Sequence, residues 1–205
     1  YTVGADFIEN PDMVAQLKAK IDVAEHLGAK VVRHDVTWRR DLDWREIIAR
    51  TKDSVREVTE YAARKGIRTC TENHGYVMQD ANRVEELILA VNHPNYGWLV
   101  DMGNFLCADE PSMHALPIAA KYAFHAHAKD FLLKSEKPSD EWFPTRNGNF
   151  LRGTVVGHGV VPVRECVKTL REAGYDGWLS LEFEGMEDNL PALRAGLSYL
   201  RSVTE

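Results

Sequence analysis

Four side chains of metal-ligand type stand at the carboxyl ends of successive apolar stretches in this 205-residue chain. They are Glu72 in Thr71-Glu72-Asn73-His74-Gly75, Asp101 in Val100-Asp101-Met102-Gly103-Asn104, His127 in His125-Ala126-His127-Ala128-Lys129-Asp130, and Glu182 in Leu181-Glu182-Phe183-Glu184-Gly185. Two glutamates, one aspartate and one histidine make a hard, oxygen-rich donor set. Such a set suits Mn²⁺, Mg²⁺ or Co²⁺ and admits Zn²⁺. Carboxylates drawn this close repel one another unless a cation lies between them. One divalent ion is therefore the economical reason for bringing the four together.

Each residue also has an ordinary structural reading. A lone glutamate at a strand end is commonly a solvated rim residue, and Asp101 before Met102-Gly103-Asn104 can simply start an Asx-type turn. His125 suits a hydrogen-bonded core histidine, Glu184 and Glu187 suit solvated side chains, and Lys129-Asp130 suits a structural ion pair. Recurrence sets the four apart, because successive strands each deliver one ligand type at the same end. Alternation along a strand supplies companions on the same faces. Glu72 shares its face with Cys70 and His74, Asp101 with Leu99, His127 with His125 and Lys129, and Glu182 with Ser180 and Glu184. Arg33, His34 and Asp35 end an earlier strand, where an Arg–Asp ion pair and a substrate contact are equally good readings.

The elements that must position these groups follow from periodicity. Short strands are expected at Thr2–Phe7, Val31–Val36, Ile67–Glu72, Tyr96–Asp101, Ala123–Ala128 and Trp178–Phe183. Helices are expected from Asn10-Pro11 to Gly28, from about Asp43 to Lys65, over Asp80–Val91, over Pro111–Tyr122 with Pro117 as a kink, over Pro162–Ala173, and over Asn189–Val203. The polar stretch from Lys134 to Val161 breaks this rhythm. Such a long segment usually serves as a lid, binding loop or interface arm, and Trp142, Phe143, Arg146 and Arg152 lie within it. A short strand is expected inside it, between Phe150 and Val156. Apolar strands separated by long helices imply parallel pairing. Two architectures remain, an open doubly wound sheet and a (β/α)₈ barrel lacking its first two units. No G-x-G-x-x-G follows a strand, which removes the dinucleotide-binding version.

Composition narrows the partners. The net charge of −6 and the absence of a Lys/Arg stripe argue against nucleic acid. No apolar run reaches the roughly 18 residues of a membrane span, nor is a signal-peptide core visible. Cys70, Cys107 and Cys166 are odd in number and form no C-x-x-C pattern, so a reducing, cytoplasmic setting without disulfides is expected. One domain over residues 1–205 is expected. Because the chain opens inside a strand without Met, an N-terminally incomplete barrel is the expectation.

The ordered set T-E-N-H, V-D-M-G-N, H-A-H-A-K-D and L-S-L-E-F-E-G resembles the xylose-isomerase-like TIM-barrel superfamily along the whole chain. That group holds sugar isomerases and epimerases, inosose dehydratases, and DNA-repair enzymes of the endonuclease IV type. The resemblance implies that Glu72, Asp101, His127 and Glu182 bind one divalent metal and that Glu72 and Glu182 move protons. It implies a small carbohydrate substrate (a sugar, sugar phosphate or related polyhydroxy ketone) and proton transfer through an enediolate. His74, Lys129, His34 and Asn104 are the candidate substrate contacts, and a homo-oligomer is compatible. Dehydration by the same enzyme type, with His74 or Lys129 as the acid, is the alternative chemistry. A non-catalytic carbohydrate-binding barrel is the alternative of another class. Two departures matter. The three-metal DNA-repair members carry a His where this chain has Asn104 and another where it has Gly153, which speaks against DNA repair. Several ketohexose epimerases carry an Arg where this chain has Leu133.

Overall fold

Residues 44–63 repeat apolar side chains at helical spacing, and Asp43 starts their helix by accepting the Arg45 N–H on its side chain at 2.8 Å. In the computed structural model, which describes residues Tyr1–Glu205, the chain divides into two compact units, Tyr1–Leu99 and Val100–Glu205.

The first unit alternates strands and helices as β1 (Thr2–Val3), α1 (Met13–His26), β2 (Val31–His34), α2 (Trp44–Ala63), β3 (Arg68–Glu72), α3 (Ala81–Val91) and β4 (Tyr96–Asp101). The last two residues of β4 belong to the second unit. All pairings here are parallel, with Thr2 opposite Arg33, Arg33 opposite Cys70, and Glu72 opposite Leu99. Leu17, Ile21 and Ala24 of α1 pack with Val58 and Ala62 of α2 over Val32 and Ile67. Each fully buried aliphatic side chain there contributes roughly 1.5–3 kcal/mol. The helices therefore hold the strands so that their carboxyl ends come out on one side.

The second unit contains α4 (Ser112–Ala119), β5 (Ala123–Ala128), β6 (Asp130–Lys134), β7 (Phe143–Pro144), β8 (Phe150–Thr154), α5 (Val163–Glu172), β9 (Leu179–Leu181) and α6 (Asn189–Thr204). β5 and β9 pair in parallel, with His127 opposite Ser180. β6, β8 and β7 form a separate antiparallel sheet in which Asp130 faces Thr154 and Lys134 faces Phe150.

β2 and β9 are shorter than the periodicity suggests, ending at His34 and Leu181, and three further departures are informative. β1 stops at Val3 because the Asp6 carboxylate takes the N–H groups of Ile8 and Glu9 at 2.9 and 3.0 Å and turns the chain. Pro117 lies inside α4 and does not end it; the helix runs to Ala119 and tightens to a 3₁₀ turn over Ala120–Tyr122. The stretch from Lys134 to Val161 is no open lid. Its residues from Phe150 pair antiparallel with β6, Trp142 is buried, and Phe143 meets Phe131 edge-on at 5.8 Å. Arg152 stacks over Trp142 at 5.5 Å and meets Glu141 at 3.3 Å, so Phe143 and Arg152 lie in the sheet with Trp142 packed beside them, while residues 135–141 stay exposed.

Candidate metal centre

In the second unit, Asp101 is both the turn starter and a ligand-type carboxylate. Its Oδ1 accepts the N–H groups of Gly103 and Asn104, each at 2.8 Å. That turn directs Oδ2 the other way, 3.8 Å from His127 Nδ1 and 3.9 Å from Lys129 Nζ. The tight course of the chain requires Gly103, because a Cβ there would stand 2.8 Å from the Lys129 carbonyl oxygen. His127 extends from β5, and its Nδ1 lies 3.0 Å from Glu182 Oε2. Backbone bonds tie the same residues together: Met102 donates to the His127 carbonyl, and Glu182 donates to that of Ala128, each at 3.0 Å. Asp101, His127 and Glu182 are thus assembled by the strand ends that carry them.

Lys129 is buried among these acids, with Nζ 3.1 Å from Glu182, 3.2 Å from Glu184 and 3.3 Å from the Asn104 amide oxygen. Burial alone would disfavour its charge, but Asp101, Glu182 and Glu184 more than offset that and hold the ammonium above its ordinary range. Burial would likewise raise the Glu182 carboxyl; His127, Lys129 and Asp101 instead bring it well below the usual carboxylate range. His125 sits one layer deeper, as a core histidine should, bonded to Ser180 at 2.8 Å and edge-on to His127 at 5.4 Å. Burial, with the neighbouring His127, pushes its imidazole down to about 4.

The Lys129–Asp130 ion pair does not form. Successive strand residues face opposite ways, and Asp130 turns from the acids to accept N–H groups from Phe131, Gly157, Gly159 and Val161 at 2.8–3.0 Å. Glu184 is not a solvated bystander either, since it holds Lys129.

In the first unit, Glu72 is buried at the end of β3, and its Oε2 meets the Arg33 guanidinium at 2.9 Å. The same guanidinium clasps Asp35 through two nitrogens, at 2.7 and 3.1 Å. The Arg–Asp pair is therefore real, with Glu72 as its third member. His34 requires a correction as a substrate contact. Since Arg33 faces Glu72, His34 faces away; its ring is fully buried between Phe7 and Tyr96, with centroids 5.7 and 6.0 Å away. His74 lies at the rim, 3.8 Å from Asp35 and edge-on to Trp38 at 5.3 Å. Cys70 is buried below Glu72 with its thiol turned to the Val32 carbonyl oxygen at 3.8 Å, and burial pushes that thiol up to about 12. Arg33 was the partner that residue types alone left open. The signal lay in parity, since Arg33 stands opposite Cys70, which shares a face with Glu72.

A family model described as a xylose isomerase-like TIM barrel matches residues 8–203. An inosose dehydratase of Yersinia enterocolitica serotype O:8 / biotype 1B is 28% identical over an alignment of 165 residues that covers 76% of this chain and 52% of that enzyme. A xylose isomerase domain protein from Planctomyces limnophilus superposes with a TM-score of 0.73 at 25% identity, over 94% of this chain and 64% of that one. The structure of an IolI protein with a bound zinc atom superposes with a TM-score of 0.77 at 19% identity, over 98% of this chain and 75% of that one. The chain spans about half the length of the curated relatives it matches. No helix is long and apolar enough to cross a membrane.

Proposed function

Because the chain belongs to the xylose isomerase-like TIM barrel family, we propose that Glu72, Asp101, His127 and Glu182 together hold one divalent ion and act on a small polyhydroxy ketone. The observation that carries this reading is the cluster of Asp101, His127 and Glu182 at strand ends, with His127 3.0 Å from Glu182. Register supports adding Glu72: it stands opposite Leu99, and Asp101 follows two residues later on the same side of β4. Three carboxylates and one imidazole fit Mn²⁺, Mg²⁺ or Co²⁺, and Zn²⁺ as well. When bound, such an ion supplies the Lewis acidity that eases loss of a proton next to a carbonyl.

The chain's own residues then divide the work. Glu182, held ionised by His127 and Lys129, and Glu72, clasped by Arg33, form the proton-moving pair. One carboxylate takes the proton alpha to the carbonyl and leaves an enediolate; the same group returns that proton to the neighbouring carbon, or the other, once it carries a proton of its own, delivers it to the opposite face. Return at a new carbon or face makes the enzyme an isomerase or epimerase. Lys129, His74 and Asn104 are the residues we assign to substrate hydroxyls, Lys129 without giving up its acidic partners.

A second outcome has a specific observation in its favour, the match to inosose dehydratases. There, the same deprotonation is followed by loss of a β-hydroxyl as water, with His74 or Lys129 supplying its proton. Product analysis on a keto-cyclitol and a ketohexose separates the two, since only the lyase forms a product lighter by one water. Glu182→Gln should abolish either reaction, at a cost of about 10²–10⁴-fold. Unchanged turnover in that variant would remove Glu182 from the mechanism. Metal uptake without turnover of any polyhydroxy ketone would favour a carbohydrate-binding barrel.

A further inference from the structure

Both buried cations at these strand ends are already taken. Arg33 is clasped by Asp35 and Glu72 within the first unit. Lys129, within the second, is held by Glu182 and Glu184, with Asp101 3.9 Å away. Phosphorylated and carboxylated substrates are bound through charge-assisted hydrogen bonds to cations. An anion could recruit Lys129 only by displacing Glu184, whose carboxylate would then face it.

We infer that the site selects a neutral polyhydroxy ketone and turns away phosphorylated or carboxylated ones, with Glu184 as the specificity-determining residue. This rests on the reading of Glu72, Asp101, His127 and Glu182 as a metal and substrate site. Even with one divalent ion, the carboxylates outnumber the positive charges there, so a second anion meets net repulsion. Neutral hydroxyls do not, and they can donate hydrogen bonds to the same carboxylates.

Glu184 suits the role because its backbone is fixed although its side chain reaches solvent. A Cβ on Gly153 would lie 2.2 Å from the Glu184 carbonyl oxygen, so Gly153 admits this segment where no other residue would. An isolated parallel bridge between Gly153 and Gly185 fastens it further. The carboxylate is thus aimed at Lys129, 3.2 Å away, by backbone held on β8 in the segment that follows β9. An ion pair between two exposed chains would contribute little. Here the ammonium is buried and must remain compensated, which makes Glu184 costly to displace.

The test uses the full chain loaded with Mn²⁺. Calorimetry would measure binding of two neutral probes, a ketohexose and a keto-cyclitol, and of two anionic ones, the same ketohexose carrying a terminal phosphate and a keto acid of equal carbon number. The native protein should bind at least one neutral probe about tenfold more tightly than either anion. Glu184→Gln, which keeps shape and removes charge, should reduce that preference about fivefold or more, chiefly by improving the anions. Anions bound as tightly as the neutral probes, an unchanged ratio in Glu184→Gln, or no binding of either neutral probe would overturn the inference. Water-proton relaxation by Mn²⁺, followed in parallel, separates the levels of failure. Lost discrimination with one Mn²⁺ bound overturns the charge argument alone, whereas absent uptake overturns the metal reading and this inference with it.

Discussion

Lys129 Nζ lies 3.1 Å from Glu182 Oε2, so an ammonium buried to within 3% of complete enclosure is set against a carboxylate that β9 delivers. Glu184 and Asp101 share that ammonium, which makes Lys129 the one fixed positive charge among three acids of the second unit. The centre is therefore built to tolerate negative charge without being neutral.

Replacing Lys129 with Met should expose how that tolerance is achieved. Its partners would be left with uncompensated charge, and removing one side of a buried pair costs on the order of 3 kcal/mol. Urea unfolding of metal-free protein should report a loss of that size. Saturating Mn²⁺ should recover more stability in the variant than in the native protein, because the ion takes over the neutralising role. A variant as stable as the native protein without metal would contradict this account of Lys129.

Arg33 should resist conservative replacement. Its planar guanidinium clasps Asp35 through two nitrogens while reaching Glu72, which a single ammonium cannot reproduce. Arg33→Leu should cost about 3–5 kcal/mol, as expected when one partner of a buried ion pair is removed. Arg33→Lys should restore less than half of that in chemical denaturation. Full rescue by Lys would mean that charge alone, and not the two-sided clasp, positions Glu72.

His34 should give the protein a pH-dependent stability unrelated to the proposed metal ligands. Its Nδ1 bonds to the Asp35 carbonyl oxygen at 2.9 Å, while its buried Nε2 has no partner. A proton on Nε2 would be a buried donor without an acceptor, and burial holds the imidazole below its ordinary value of 6.5. The sign follows from proton counting. Below about pH 6.5 the unfolded chain binds a proton that the folded one refuses, so stability falls as the pH drops and is regained as it rises. His34→Gln should flatten the slope of unfolding free energy against pH below 6.5. An unchanged slope would assign the acid sensitivity elsewhere.

Much of the frame was legible because local rules and tertiary demands agree. β4 and β5 run over Tyr96–Asp101 and Ala123–Ala128, as their bounded apolar runs predict. Parity correctly placed His125, His127 and Lys129 on one face, and Ser180 with Glu182 on another that meets it. It also held the answer for His34, but only once a neighbour showed which way Arg33 points. β6 was hidden because strands adjoin without a turn signal: the chain passes at Lys129 from the parallel strand β5 into the antiparallel sheet, and Asp130 anchors the change through four backbone N–H groups. Glu184 resembled a solvated residue because its partner lies 55 residues away in the sequence, and long-range pairs leave no local pattern.

The central claim is that Glu72, Asp101, His127 and Glu182 share one ion, and a divalent-metal titration tests it most directly. Metal-free native protein should take up one equivalent of Mn²⁺ with saturation. Asp101→Asn, His127→Gln and Glu72→Gln, each still folded by circular dichroism, should bind it on the order of 100-fold more weakly, since even partners of the ligands are worth 10–100-fold. No saturable uptake by the native protein, or native-like uptake by Glu72→Gln, would contradict the account.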